Sequence, residues 1–376
     1  MVTRCTAMAV LTGLLVGHAF AAEQDPTNQI RAMQEERVGV LNKLVVVYDS
    51  LFRVGTTWTE AVISAEMDCL GARLGVAENR EARIALLTKA LKKYEETQKS
   101  VEHSDAPLSE ADVLWWRALY LHAKLSLLGE QNDGADHVKL VQKEWIAALT
   151  KVAGHHELSY KVGTIDCEAF VLADVALVHA QFEAAGDREQ RITVLTEAVK
   201  RETKFLDVAQ DRFSKNSVGQ DDVDRAKSLL LATKIRLLRE RGTAEDPAAQ
   251  VRQLQKERVE TLAKVVDAYE SRYRTGTIDC ESVVAAMSDL VDARLDGTAK
   301  PADRITALTA EVNKQGEFLK IADGKFNANK VSENHVLLVR ALLLKTKIKL
   351  LREESTQKAQ PKVDRPSKGK IVPRQG

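Results

Sequence analysis

Tyr160-Lys161-Val162-Gly163-Thr164-Ile165-Asp166-Cys167-Glu168 returns 113 residues later as Tyr273-Arg274-Thr275-Gly276-Thr277-Ile278-Asp279-Cys280-Glu281. Its first five positions have a counterpart 108 residues earlier in Phe52-Arg53-Val54-Gly55-Thr56. The shared content is an aromatic, a base, one variable residue and then Gly-Thr. Glycine accepts the left-handed backbone that ends a helix, so each copy predicts a helix terminus followed by a new helix start. Arg83-Ile84, Arg191-Ile192 and Arg304-Ile305 keep the same two spacings. Each copy then closes on a related run: Leu127-Leu128-Gly129-Glu130, Leu237-Leu238-Arg239-Glu240 and Leu350-Leu351-Arg352-Glu353. Self-similarity of this kind marks tandem structural units. Three units follow, over 30–133, 137–241 and 251–354.

Each unit is also doubled internally. An aromatic is followed ten residues later by an apolar residue, and three further on by a mostly small one. The sites are Phe52/Val62/Ala65, Tyr160/Phe170/Ala173, Phe213/Val223/Ala226, Tyr273/Val283/Ala286 and Phe326/Val336/Val339. A sixth keeps Val113 and Trp116, with Asp105 in the aromatic's place. Six hairpins of one template are expected, two in each unit.

Periodicity says what the hairpins are made of. Val223, Ala226, Leu230, Thr233 and Leu237 step by three and four residues alternately, which is a heptad seam on one helix face. Leu41, Val45, Tyr48 and Phe52, and Leu262, Val266, Tyr269 and Tyr273, form the same stripe on the opposite arms. The fold class predicted is therefore all-α, built of tandem antiparallel coiled-coil-like hairpins. Thr or Asp just after the turn glycines is expected to cap the next helix, with Thr57-Trp58-Thr59-Glu60 a capping box and Ser109 and Ser332 at equivalent starts. Pro26, Pro107, Pro247 and Pro301 fall in the predicted connections and interrupt no seam.

Composition agrees with long helices: 29% charged, 44% hydrophobic and only 5% aromatic residues, with 7 prolines and 19 glycines in 376. An all-β sandwich would need more turn, aromatic and β-branched residues. Residues 1–21 read as a signal peptide, with Arg4 in a basic start, an apolar run from Ala7 to Val16 and Ala19-Phe20-Ala21 as the cleavage pattern. Export is expected, to a periplasmic or extracellular place with outer-membrane association left open. Removing Arg4 with that segment leaves 54 bases against 54 acids. Such a balance argues against a nucleic-acid partner. Residues 355–376 hold three prolines and six Lys or Arg against the single acid Asp364, and predict a disordered basic tail. Membrane contact would run through that tail or through homo-oligomerisation.

The chain carries no HExxH, P-loop, GxSxG or dinucleotide fingerprint, so no enzyme activity, catalytic residue, cofactor or metal site is expected. His155 and His156 are adjacent and cannot face one metal as an i, i+4 pair would. His156 aligns with Tyr48 and Tyr269 and reads as a packing residue. Cys69 sits at a seam position. Cys167 and Cys280 share a place after the turn glycine, where the alternatives are packing, a disulfide between successive units, or a thiol activated by a helix N-terminus. Trp116 and Tyr120 belong to a seam, whereas Trp115 points off it and could mark a docking surface.

Ala209-Gln210-Asp211-Arg212-Phe213 followed by Val223-Asp224-Arg225-Ala226, and Tyr273-Arg274-Thr275-Gly276-Thr277 leading to Val283 and Ala286, resemble the coiled-coil hairpin tips of TolC-family outer-membrane efflux proteins. In that family such turns form the periplasmic end of a channel, where adaptor proteins dock. The resemblance covers the turn and first heptads of each hairpin, and no barrel strands are evident. It implies a helical hairpin with a protein-docking tip at Gly55, Thr56, Gly163, Thr164, Gly276 and Thr277. The expected function is a non-enzymatic cell-envelope scaffold or interaction module with a protein partner; the alternative is a TolC-like efflux component or accessory.

Overall fold

The computed structural model describes residues 25–55, 57–102, 109–242 and 247–359. Residues 1–21, read as a signal peptide, and Thr56, Asp105, Pro107 and residues 360–376 lie outside them. The described residues form twelve α-helices and no strand. The first unit holds α1 (Pro26–Arg53), α2 (Thr59–Val76), α3 (Arg80–Glu102) and α4 (Glu110–Gln131). The second holds α5 (Ala135–Val162), α6 (Cys167–Ala184), α7 (Arg188–Ser214) and α8 (Gln220–Arg241). The third holds α9 (Pro247–Thr275), α10 (Cys280–Asp296), α11 (Pro301–Asn327) and α12 (Glu333–Ala359). The all-α hairpin fold read from the heptads is the fold observed. Helix α12 runs to Ala359, so residues 355–359 continue the last helix where the composition predicted tail. Within that turn the Ser355 and Thr356 hydroxyls bond back to the Leu351 and Arg352 carbonyls.

Helix chemistry explains the layers. The third helix of each unit has one narrow buried stripe. It is Leu195, Ala198, Glu202, Phe205 and Ala209 in α7, and Leu308, Glu311, Gln315, Phe318 and Ala322 in α11. A single stripe with a polar remainder places a helix at the periphery. The second helices, α2, α6 and α10, are shorter and bury residues on more than one side: α6 buries Cys167, Phe170, Val171, Ala173, Leu177 and Val178. They lie inside.

Consecutive helices pack as antiparallel hairpins, and successive units meet through α4 against α5 and α8 against α9. Helix α12 packs along α1 as broadly as those pairs do. The three units therefore close into a ring. One core cluster crosses the closure, joining Leu41, Leu44 and Tyr48 of α1 to Leu337, Ala341 and Leu344 of α12. Arg340 and Glu36 pair across the same seam at 2.6 Å.

Recurrent residues that look unrelated in sequence meet in space. Arg83 binds Glu130 at 2.8 Å, Arg191 binds Glu240 at 3.1 Å and Arg304 binds Glu353 at 2.6 Å, pinning the third helix of each unit to the fourth. The prolines open helices rather than sit in loops: Pro26 and Pro301 occupy the first turn of α1 and α11, and Pro247 is the first residue of α9. A missing N–H is harmless there because first-turn donors have no intrahelical partner.

Candidate binding surface at the hairpin tips

Among the described residues, the turns from an odd to an even helix gather at one end of the ring. Gly55, Gly163 and Gly276 lie there with φ of +70°, +83° and +79°, the left-handed geometry read from the repeats. At the second and third units the chain then folds back on the helix it has left. Thr164 donates its N–H and its hydroxyl to the Ser159 carbonyl, at 2.9 and 3.1 Å, and Thr277 does the same to Arg272, at 2.9 and 3.2 Å. The threonines thus close the preceding helix rather than cap the next. That role falls to Asp166 and Asp279, whose carboxylates accept the N–H of Ala169 at 2.9 Å and Ser282 at 2.7 Å. The recurrence of Gly-Thr-x-Asp follows from ending one helix and starting another within four residues.

The first tip departs from this scheme. The expected capping box at Thr57-Trp58-Thr59-Glu60 does not form: Trp58 is the N-cap residue of α2 and makes no side-chain cap bond. The Glu60 carboxylate turns instead to His156 Nε2, at 3.0 Å. At the α4 start, Ser109 and Asp112 do form the reciprocal box.

Trp115 is buried, against the expectation of a docking surface, with 6% of its area exposed. Its indole Nε1 stands 3.0 Å from His156 Nε2, the nitrogen that also faces Glu60. The off-seam position is filled because α4 packs against α2, α3 and α5 together, so more than one of its faces is covered. Cys167 and Cys280 are free, buried thiols in separate core clusters. Their S–H groups point to the carbonyls of Asp222 and His335, at 3.6 and 3.7 Å. Burial pushes both thiols well above their ordinary range, which removes the activated-thiol alternative. Cys69 is likewise buried and donates to Asn42 at 3.1 Å.

The second set of tip turns falls where the repeats place it, but the asparagines that make those turns were missed. Asn216 and Asn329 take φ of +55° and +54°, three residues after Phe213 and Phe326, as the glycines follow Phe52, Tyr160 and Tyr273. Ser217 and Lys330 then donate their N–H groups to Arg212 and Lys325, both at 2.9 Å, repeating the Gly-Thr geometry. The signal was present in the sequence, since asparagine is the commonest non-glycine residue at such helix ends. Each second tip locks the first beside it. Arg212 lies over the Tyr160 ring at 4.4 Å and donates to its carbonyl at 2.6 Å; Lys325 lies over Tyr273 at 4.3 Å and bonds its carbonyl.

Inside the ring of tips opens a cavity of about 1010 Å³, walled by α2, α6 and α10 with parts of α1 and α12. The three second-helix glutamates stand around it at one repeat position. Glu60 reaches His156 of the next unit, and Glu281 accepts from Tyr48 across the ring closure. Glu168 holds Arg225 through bonds of 2.6 and 2.7 Å, while Arg225 also reaches Asp289 of the third unit at 2.6 Å. The rim is unneutralised by comparison. Desolvation within the mouth raises the Asp166 carboxyl, and Asp279 and Glu60 raise it further. Burial, then the neighbouring Asp221, pushes Asp222 up to about 6.

The same end carries large apolar side chains in solvent. Trp58 and Val162 are each 75% exposed, and Val54, Leu158, Phe213 and Phe326 are exposed beside them. No three His, Cys, Asp or Glu side chains among the described residues are grouped so as to hold a metal ion. No described helix is long and apolar enough to cross a membrane. No protein-family model matches the chain, and no curated protein matches it.

Proposed function

We propose that the protein is an exported, non-enzymatic scaffold that binds a protein partner at the tip end of its helical ring. The observation that carries this reading is the set of exposed apolar side chains at the odd-to-even turns, Val54, Trp58, Leu158, Val162, Phe213 and Phe326, which are six of the ten large apolar side chains exposed among the described residues. Exposed apolar residues gathered on one face of a folded protein mark interaction sites. The turn glycines and threonines contribute by holding those side chains out, since their own polar groups are used in ending helices. Export rests on the leader-like residues 1–21, and the resemblance of the hairpins to docking tips of TolC-family proteins supports the same end as the contact surface.

Crosslinking in the native envelope tests the reading. Wild-type protein and a Leu140→Ser variant, altered in the exposed first half of α5 near the opposite end, should recover the same partner. A V162S/F213S/F326S variant with unchanged helix content should lose it. Equal recovery by all three would remove the tips from the function.

A further inference from the structure

The axial cavity has the make-up of a binding site for one chemical class of ligand. Its wall mixes aliphatic with polar side chains and is partly open: Val175 is 50% exposed, and Leu172, Ala285 and Leu338 face the same space in part. At about 1010 Å³ it is at the upper end of the size found for ligand pockets. The charges that line it divide by position. Eight carboxylates line it against five bases, and most of the bases are engaged: Arg225 by Glu168 and Asp289, Arg272 by Asp221, Arg37 by Asp68 and Arg212 by the Tyr160 carbonyl, while Lys345 reaches the Ser288 hydroxyl. The rim carboxylates of Asp166 and Asp279 accept backbone N–H groups, and neither has an ion-pair partner among the described residues. A chamber with an aliphatic stretch and an excess of acids, under rim carboxylates from the second and third units, suits a cation carried on an apolar body and repels an anion.

We infer that the axial cavity takes a basic, aliphatic peptide segment of the partner, with Lys or Arg side chains on the Asp166 and Asp279 rim and aliphatic side chains against Leu172 and Val175. This rests on the scaffold reading and specifies what part of the partner is recognised. The tip side chains outside the cavity would hold the rest of the partner, while the chamber selects the segment by charge.

Fluorescence anisotropy on the full chain provides the test, with a fluorescein-labelled octapeptide of alternating lysine and leucine as probe and its glutamate–leucine counterpart as control. The lysine peptide should bind at least tenfold more tightly than the glutamate peptide, and the difference should shrink as sodium chloride rises from about 50 to 500 mM. D166N/D279N should weaken binding at least fivefold at unchanged helix content, because asparagine keeps the N-cap while removing the charge. L172Q should weaken it without altering the salt dependence. Equal affinity for the two peptides, or an unaffected D166N/D279N variant, overturns the inference. So does a tenfold gain on truncation after Ala359, which would make the chain's own basic C-terminal residues the occupant. A peptide that dissociates a dimer in sedimentation would assign the cavity to a second copy and overturn it as well. Crosslinking separates this inference from the scaffold reading. Partner recovery retained by D166N/D279N but lost by V162S/F213S/F326S refutes the cavity alone, and recovery retained by both refutes the scaffold.

Discussion

Replacing Arg225 by leucine should destabilise the ring by about 3 kcal/mol at neutral pH, and the deficit should shrink as the pH falls. Arg225 and Glu168 are both buried, at 2% and 5% exposure, and their forked bonds of 2.6 and 2.7 Å join α8 to α6, while the bond to Asp289 joins the second unit to the third. Removing one partner of a buried ion pair costs about 3–5 kcal/mol, because the other charge stays in the interior uncompensated. The lower end applies here. Tyr269 stands beside Glu168 at the position from which Tyr48 donates to Glu281 in the third unit, where Leu338 already replaces the arginine. Tyr269 is therefore available as a substitute donor, and R225L/Y269F should lie near the upper end.

The pH dependence has a definite sign. Burial raises the Glu168 carboxyl even with Arg225 present, and Arg225 opposes that rise. Without Arg225 the folded-state value climbs further. A carboxyl raised on folding favours the folded state below its unfolded value and loses that contribution as pH rises through the folded one. R225L should thus be closer to wild type at pH 5 than at pH 8. Urea denaturation followed by helix circular dichroism measures this: a loss of about 3 kcal/mol with a slope near 3 kcal/mol/M moves the midpoint by about 1 M. The double variant R225M/E168L should return to within about 1 kcal/mol of wild type, since an apolar pair can replace a buried ion pair with little loss. A deficit in R225L below about 1 kcal/mol, or one independent of pH, would refute the role given to the pair.

Glu202 is buried beside Asp174, and burial followed by Asp174 holds its carboxyl well above the usual range. E202Q, which installs the residue the third unit carries as Gln315, should stabilise the protein at pH 8 by on the order of 1 kcal/mol and flatten the decline from pH 5 to 8 in denaturation curves. Unchanged stability at pH 8 would contradict this. Gly276→Ala should cost about 1–2 kcal/mol for its left-handed backbone. Gly163→Ala should cost more in the same assay, because its Cβ would stand 3.2 Å from Arg212 Nη2 whereas the space at Gly276 is open. Cys69, Cys167 and Cys280 should resist a disulfide reagent such as DTNB in the folded protein and react together on unfolding. Rapid modification of Cys167 or Cys280 in the native state would contradict their burial.

Much of the fold was legible because helix ends and seams are local. Val223, Ala226, Leu230, Thr233 and Leu237 are all buried on α8, as their spacing predicts. The glycines at 55, 163 and 276 end helices for the reason their positions suggest. Errors arose where one residue serves two neighbours. Trp115, Arg225 and Leu338 share a repeat position, and a single heptad stripe leaves that position facing outward. Packing of α4 and α8 on three neighbours covers it. Thr57 to Glu60 match a capping box by type, but the Glu60 carboxylate finds a partner in His156 of the following unit, a contact 96 positions away that no local pattern reveals. The cavity is less visible still, since it exists only once α12 meets α1.

That meeting explains why the three glutamates matter to the architecture. Each second helix sends Glu60, Glu168 or Glu281 toward one position on the first helix of the following unit, where the residues are His156, Tyr269 and Tyr48. For the first two junctions the backbone between units already keeps the partners close. For the third it does not, and Glu281 must find a tyrosine 233 positions away. A head-to-tail interface repeated within one chain closes only if the rotation per unit returns the last face to the first. The equivalence of Glu281–Tyr48 to Glu60–His156 means that the rotation does so after three units. The seam also has its own reinforcement in Arg340–Glu36 and in the apolar cluster shared by α1 and α12. Such closure requires α1 to have two partners, α2 and α12, which is why Leu41, Leu44 and Tyr48 are fully buried at the start of a repeat array instead of capping it with a polar face.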